Sequence, residues 1–211
     1  PEQRGVVAAC SYEARGFGIR SAMPMRTALA RCPDAILVPP RFVRYSEISK
    51  QVMGIFRRVA TVIEPASLDE AYLDVTAAAW ASSPRTVGNR LKMDVKQGTG
   101  LRVSVGMATS KSVAKIASDQ DKPDGFCIVP PDSERGFLAP LPVKKLTGIG
   151  PKTSALLISA GVDTLGDLAG KPDVWLEKRI GKRGLELARH ARGEDYREVA
   201  PRSGAKSVSV E

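Results

Sequence analysis

A pair of prolines, Pro130-Pro131, marks a change of texture along the chain. Upstream, short apolar runs suited to strands alternate with segments of helical period, the pattern of an α+β domain. Downstream, residues 133–196 hold short helical stretches broken by Gly148, Gly150, Gly161, Gly170, Gly181, Gly184 and Gly193, with little strand signal. Glycine ends helices readily, so this half predicts a small all-helical module.

Within the first half, residues 5–10 (GVVAAC) read as a short buried strand, and Pro24 opens a helix that runs through Arg31 before Cys32-Pro33 ends it. Residues 35–38 (AILV) read as a second strand, closed by Pro39-Pro40. Apolar residues at Val43, Ile48, Val52, Ile55, Phe56 and Val59 predict a long amphipathic helix over 42–62. A strand over 71–75 emerges from Ser67-Leu68-Asp69-Glu70, and a helix follows over 86–97. Then come a β-branched strand over 99–108, a helix over 110–119 with Ser110 as N-cap, a turn at 122–125 and a strand over 126–129. Residues 200–211 read as a polar linker running into a strand, SVSVE.

Composition narrows the class. The 211 residues, 43% hydrophobic and 26% charged, suffice for one large domain or two to three small ones. No apolar run approaches the ~20 residues that span a bilayer, and no signal-peptide pattern opens the chain. Cys10, Cys32 and Cys127 are odd in number and lack CxxC spacing, which speaks against a disulfide framework or zinc site and for a reducing, cytoplasmic setting. Lys and Arg exceed Asp and Glu by 32 to 23, the excess lying toward both ends, and that balance suits a polyanionic partner. His190 is the only histidine and reads as structural, which argues against histidine-dependent nucleophilic catalysis; no GxSxG or Walker pattern is present.

Four motifs carry chemistry, each with a plain structural alternative. Asp69 and Glu70 are adjacent carboxylates at the mouth of a strand; at a turn both can converge on one divalent cation, though a bare Asp-Glu is also an ordinary solvated turn. Tyr12 and Arg15 offer a hydroxyl and a planar fork of donors for phosphate oxygens, or else a core edge and a surface charge. Lys111 and Lys115 stand at i,i+4 on one helix face with Lys122 in the following turn, a stripe for phosphates or a solvated face. Leu146–Thr153 (LTGIGPKT) runs into an apolar helix. Gly148 and Gly150 permit close backbone approach, Pro151 opens the helix, and Lys152 and Thr153 stand by an N-terminus that attracts anions. This run is similar to the helix–hairpin–helix motif, which grips a nucleic-acid strand by its phosphates, or else it is a purely structural helical hairpin.

In this order, YEARGFGIRSAMP, IEPASLDEAYLDVT, SVGMATSKSVAKIASDQDKPDG, LTGIGPKTSALLISAGVDTLGDLA and the terminal KSVSVE resemble the DinB branch of the Y-family DNA polymerases over essentially the whole chain. The resemblance implies an α+β fold: a right-hand polymerase palm with a mixed or antiparallel sheet, small fingers and an all-helical thumb containing a helix–hairpin–helix. The implied limits are fingers at 1–41, palm at 42–130 and thumb at 131–197, with 198–211 starting a linker to a little finger domain. It implies a template-directed nucleotidyltransferase of the low-fidelity translesion type, with Asp69 and Glu70 as catalytic metal ligands. Two Mg²⁺ ions per active site, or Mn²⁺ in their place, would stabilise attacking and leaving oxygens. Tyr12, Arg15 and Lys122 would hold the triphosphate of the incoming dNTP. Lys111, Lys115, Gly148, Gly150, Lys152 and Thr153 would face DNA. Primer-template DNA is the implied partner, a sliding clamp a candidate one, and the expected state is a cytoplasmic monomer away from membranes.

The family also carries another metal-binding aspartate on its first palm strand, followed by an aromatic residue that excludes ribonucleotides. Both are expected upstream of Pro1, and the little finger after Glu211, so the 211 residues by themselves are expected to be inactive or nearly so. Ala9 and Ser11 stand where related sequences often carry Thr and Asn, and Gly16 replaces what is usually a larger residue. Two rival readings are a catalytically inactive polymerase-like scaffold in a mutagenesis complex and a simple helix–hairpin–helix DNA-binding protein. A scaffold has no use for the carboxylate pair, and a binding module has none for the upstream motifs.

Overall fold

The computed structural model describes residues 5–201, which form two compact units meeting in sequence at Tyr45 and Ser46. The terminal KSVSVE lies outside the described residues.

In the first unit, α1 (Tyr12–Gly16) and α2 (Met25–Arg31) surround a small core of Val7, Ile19 and Ala28. Ser11 caps α1 by accepting from the Ala14 N–H at 3.2 Å. The helix expected to follow Pro24 is α2, ending at Cys32 as read. Two expected strands are not formed. Residues 5–10 make only an isolated bridge, Val6 to Pro24, because the partner segment is short: it turns at Ala22, whose φ is 65°, and enters α2 at Met25. Residues 35–38 are not a strand either: Ile36 is 91% exposed and Val38 70%. No neighbouring strand accepts them among the described residues, and Pro39-Pro40 lacks the N–H groups a ladder needs.

The helix α3 (Phe42–Phe56) is shorter than its periodicity suggests. Val59 and Ala60 close its end onto the Phe56 carbonyl, and Val62 already belongs to β1 (Val62–Pro65), a strand that helical spacing concealed. β1 pairs antiparallel with β2 (Ala71–Asp74), with Glu64 opposite Tyr72 and Pro65 opposite Ala71. Ile63, Ala71 and Leu73 pack on Met53, Ile55, Phe56, Leu91 and Val95.

After α4 (Thr76–Ala81), Ser83 and Pro84 open α5 (Pro84–Thr99), and Gly100 closes it in the left-handed conformation. The strand expected over 99–108 contracts to β3 (Val105–Met107), which runs parallel to β4 (Phe126–Ile128) with α6 (Lys111–Ser118) as the crossover. Helix and strand are in close contact: a Cβ on Gly106 would lie 2.1 Å from the Ala114 carbonyl oxygen, so no other residue fits there without displacement. Ser110 occupies the N-cap position of α6, but its hydroxyl makes no capping bond and is buried without a partner among the described residues.

Beyond Pro131 the chain is helical, as its glycine pattern predicts: α7 (Glu134–Leu138), a 3₁₀ turn at Val143–Lys145, α8 (Pro151–Ser159), α9 (Leu165–Ala169), α10 (Asp173–Ile180) and α11 (Arg183–Ala191). Leu138, Leu146, Leu157, Leu165, Leu168, Leu176 and Leu187 share one buried cluster with Val113, Ile116 and Ala117 of α6. The helical half and the helix on the parallel strands therefore close a common core.

Candidate active site

The β1–β2 turn is tight because the N–H groups of Ala66 and Ser67 both donate to the Glu70 carbonyl, at 2.9 and 3.1 Å. Asp69 stands exposed in that turn. The Ser67 hydroxyl donates to its Oδ1 at 2.6 Å and accepts from its backbone N–H at 3.2 Å, which orients the carboxylate. Glu70, half-exposed, is paired with Lys115 of α6. One helical turn earlier, Lys111 donates to Glu64 Oε2 at 2.7 Å and lies 5.6 Å from the centre of the Tyr72 ring. The i,i+4 lysines of α6 thus hold two carboxylates of one hairpin, like two rungs.

The electrostatics follow from these pairings. Lys111 holds the Glu64 carboxyl below its ordinary range, helped by the Ala200 N–H at 3.0 Å. Burial works against the Lys115 ammonium but is outweighed by Glu70 and Asp119, so its pKa lies above the usual lysine value. Burial pushes the Tyr72 phenol up.

Lys122, exposed in the turn after α6, pairs with Asp119 at the helix end. That turn is built by a residue the motif reading missed. Lys92 of α5, only 18% exposed, donates to Asp124 Oδ1 at 2.7 Å and to the carbonyls of Asp124, Gly125 and Val103 at 2.6, 3.1 and 3.0 Å. Asp124 takes a positive φ of 59°, a conformation that this set of bonds maintains. The Lys92 hydrogen bond also lowers the Asp124 pKa. Nothing local marks Lys92, since its partners lie 11 to 33 residues away.

Asp69 and Glu70 supply the hard oxygen donors that Mg²⁺ takes, and two adjacent carboxylates at an exposed turn fit as part of such a set. No cluster of three or more His, Cys, Asp or Glu side chains that could hold a metal occurs among the described residues.

In the first unit, Tyr12 and Arg15 are both exposed on α1, with the Arg15 guanidinium 5.1 Å from the centre of the Tyr12 ring. In the helical half, Ile149 is buried and anchors the turn, while Gly148, Gly150 and Lys152 are exposed and Thr153 is half-buried. Gly148 has a φ of 98°, and a Cβ there would lie 2.8 Å from the Arg183 guanidinium. Pro151 is the first residue of α8, and Thr164 with Asp167 forms a reciprocal capping box that starts α9. The helix–hairpin–helix geometry read in LTGIGPKT is present.

The model of the impB/mucB/samB family matches residues 1–119, and that of the HHH motif of the IMS family matches 131–162. A DNA polymerase IV of Ralstonia nicotianae is 46% identical, the match covering 100% of this chain and 59% of that protein. A DNA polymerase IV of Halorhodospira halophila is 47% identical, covering 100% and 60%. Among solved structures, DinB from Sulfolobus solfataricus superposes with a TM-score of 0.88 at 33% identity, over 94% of this chain and 59% of that one. A ternary insertion complex of the Dbh DNA polymerase gives 0.84 at 34% identity, over 93% and 58%. The fold is that of the Y-family polymerases. The chain belongs to the impB/mucB/samB family. It spans about three fifths of the length of the curated relatives it matches.

Proposed function

We propose that the protein is a template-directed DNA polymerase of the low-fidelity translesion type, joining the nucleotidyl group of a dNTP to a primer 3′-hydroxyl. The observation that carries this reading is the hairpin turn that presents Asp69 and Glu70 together, with Lys115 holding Glu70 in place. The names and complexes of the relatives point the same way.

In this reading Asp69 and Glu70 are ligands of Mg²⁺, which when bound supplies charge stabilisation to the attacking and leaving oxygens; Mn²⁺ can take its place. Ser67 keeps the Asp69 carboxylate aimed outward. Tyr12 and Arg15 grip the triphosphate, Arg15 by its planar fork of donors. Lys122 exchanges Asp119 for a phosphate oxygen of the same nucleotide. Lys111 and Lys115 add positive potential beneath the DNA while bound to their hairpin carboxylates. The backbone at Gly148 and Gly150, with Lys152 and Thr153, holds one DNA strand by its phosphates, and base pairing with the template selects the nucleotide. Residues 1–41 act as fingers, 42–130 as palm, 131–197 as thumb and 198–211 as the start of a linker. We place the protein in the cytoplasm as a monomer on primer-template DNA, with a sliding clamp as a candidate partner. Free Cys10, Cys32 and Cys127 agree with a reducing compartment, and no helix among the described residues is long and apolar enough to cross a membrane.

The test is primer extension by the natural full chain. Asp69→Ala is expected to lower the rate by at least about two orders of magnitude, since several kcal/mol of charge stabilisation are lost, while primer-template binding stays measurable. Undiminished extension by that variant ends the proposal.

A further inference from the structure

The side chain of Asp195 is fully buried, and the scheme above does not use it. Its Oδ2 accepts from the backbone N–H of Ser112 at 2.9 Å, across 83 residues of sequence. Ser112 lies in the first turn of α6, where free N–H groups need acceptors. Ser110, which has the right position to cap that helix, does not. A remote carboxylate therefore performs a task that a local serine normally does. Burying a carboxylate costs several kcal/mol unless donors surround it, and a local cap would avoid that cost.

The surrounding contacts give the arrangement a purpose. Arg197 forks onto Asp195 at 2.7 and 2.8 Å, and His190 Nε2 lies 3.6 Å from the same carboxylate. The segment then runs along α6: the Glu198 carbonyl accepts from Lys111 at 2.9 Å, and the Ala200 N–H donates to Glu64 Oε2 at 3.0 Å, the oxygen that Lys111 also bonds. Residues 195–200 thus form a strap fastened to the start of α6 and to β1. From the same helix Lys115 holds Glu70.

We infer that Asp195 is a positioning residue for the carboxylate pair: by anchoring the 195–200 strap on the N-terminus of α6, it sets the two lysine rungs that hold the β1–β2 hairpin and the Asp69-Glu70 turn. The inference rests on the polymerase reading of that turn. It assigns the segment after α11 a part in aligning the reaction centre besides its part as a connector.

Two measurements on the natural full chain test it. The first is amide hydrogen exchange over residues 62–74, which needs no activity. Asp195→Ala is expected to speed exchange there about tenfold, and Asp195→Asn, which keeps an oxygen for the Ser112 N–H, less than threefold. The second is single-turnover primer extension against Mg²⁺ concentration, normalised to folded protein. Asp195→Ala is expected to raise the half-saturating Mg²⁺ several-fold and lower the maximal rate about tenfold, with the primer-template Kd within twofold of wild type. Should Asp195→Ala not fold, Arg197→Ala, which leaves the Ser112 bond in place, is expected to shift both readouts in the same direction by about threefold. Wild-type exchange in the hairpin overturns the inference, and so does a loosened hairpin with an unchanged Mg²⁺ midpoint. A wild-type protein that extends no primer defeats the polymerase reading alone; the exchange measurement then decides the strap by itself.

Discussion

Lys92 shows how much one side chain can organise when its ammonium replaces water as the donor to several carbonyls. It serves Val103, Asp124 and Gly125 at once and pairs with the Asp124 carboxylate, so the turn bearing Lys122 has its shape from a helix far away in sequence. Lys92→Met keeps the apolar stem and removes the donors, leaving three carbonyls underserved. It is expected to lower stability by about 1–3 kcal/mol, read as a shift in the urea midpoint at constant slope. Under the polymerase reading it also raises the KM for dNTP more than it lowers kcat. The contrast with Asp69 and Glu70 is instructive. Those two stood out in the sequence only as adjacent carboxylates at the mouth of the strand AYLDV, and their proposed role came from the resemblance of the whole run IEPASLDEAYLDVT. Lys92 did not stand out, because no short-range pattern distinguishes a lysine on a solvated helix face from one turned onto a distant loop.

The helical hairpin around Gly148 separates two uses of glycine within three residues. Gly148 has a φ of 98°, which strains any other residue, and a Cβ there would also push the Arg183 guanidinium aside, whereas Gly150 has an ordinary φ of −80° and nothing within 4 Å. Gly148→Ala is expected to cost about 1–3 kcal/mol in thermal or chemical unfolding. Gly150→Ala is expected to stay within about 0.5 kcal/mol of wild type, since the space is open. If that open space is where a DNA backbone approaches, Gly150→Ala instead weakens primer-template binding several-fold, measured by fluorescence anisotropy. Elements of this kind were readable in advance: the Gly and Pro at the start of α8 act through their own backbone, and Thr164 starts α9 through a cap to Asp167 three residues on. Strands were less so. The long helix was read on through Val62, the first residue of β1, and residues 35–38 were read as a strand, because apolar spacing over four to six residues fits both periods and only a partner decides.

Across residues 46–211 the cluster at Asp195 joins α11, the strap and α6, so its protonation bears on the unit as a whole. Burial opposes the Asp195 charge, but Arg197 and the Ser112 N–H outweigh it and hold the carboxyl well below the usual carboxylate range. Burial also lowers the His190 pKa, against the pull of Asp195. Both folded values lie below their unfolded ones, so both contributions are fully present at neutral pH and are lost on acidification. The His190 part begins to fall below about pH 6.5 and the Asp195 part below about pH 4, each continuing down to its folded value. Urea midpoints measured across pH are expected to be flat above about pH 7 and to decline below it, and His190→Gln to remove the upper portion of the decline. An unchanged profile in that variant would assign the decline to other groups. What the residues declare by themselves is short-range: the change to an all-helical texture after Pro130-Pro131, the capped helices, the hairpin glycines and the adjacency of two carboxylates at a strand mouth, because each depends on neighbours within a few positions. What only the folded chain decides is which charges meet. Lys111 with Glu64, Lys115 with Glu70, Lys92 with Asp124 and Asp195 with Ser112 are separated by 32 to 83 residues. Such pairings cost conformational entropy that only a common core repays, so no local pattern in the sequence can announce them.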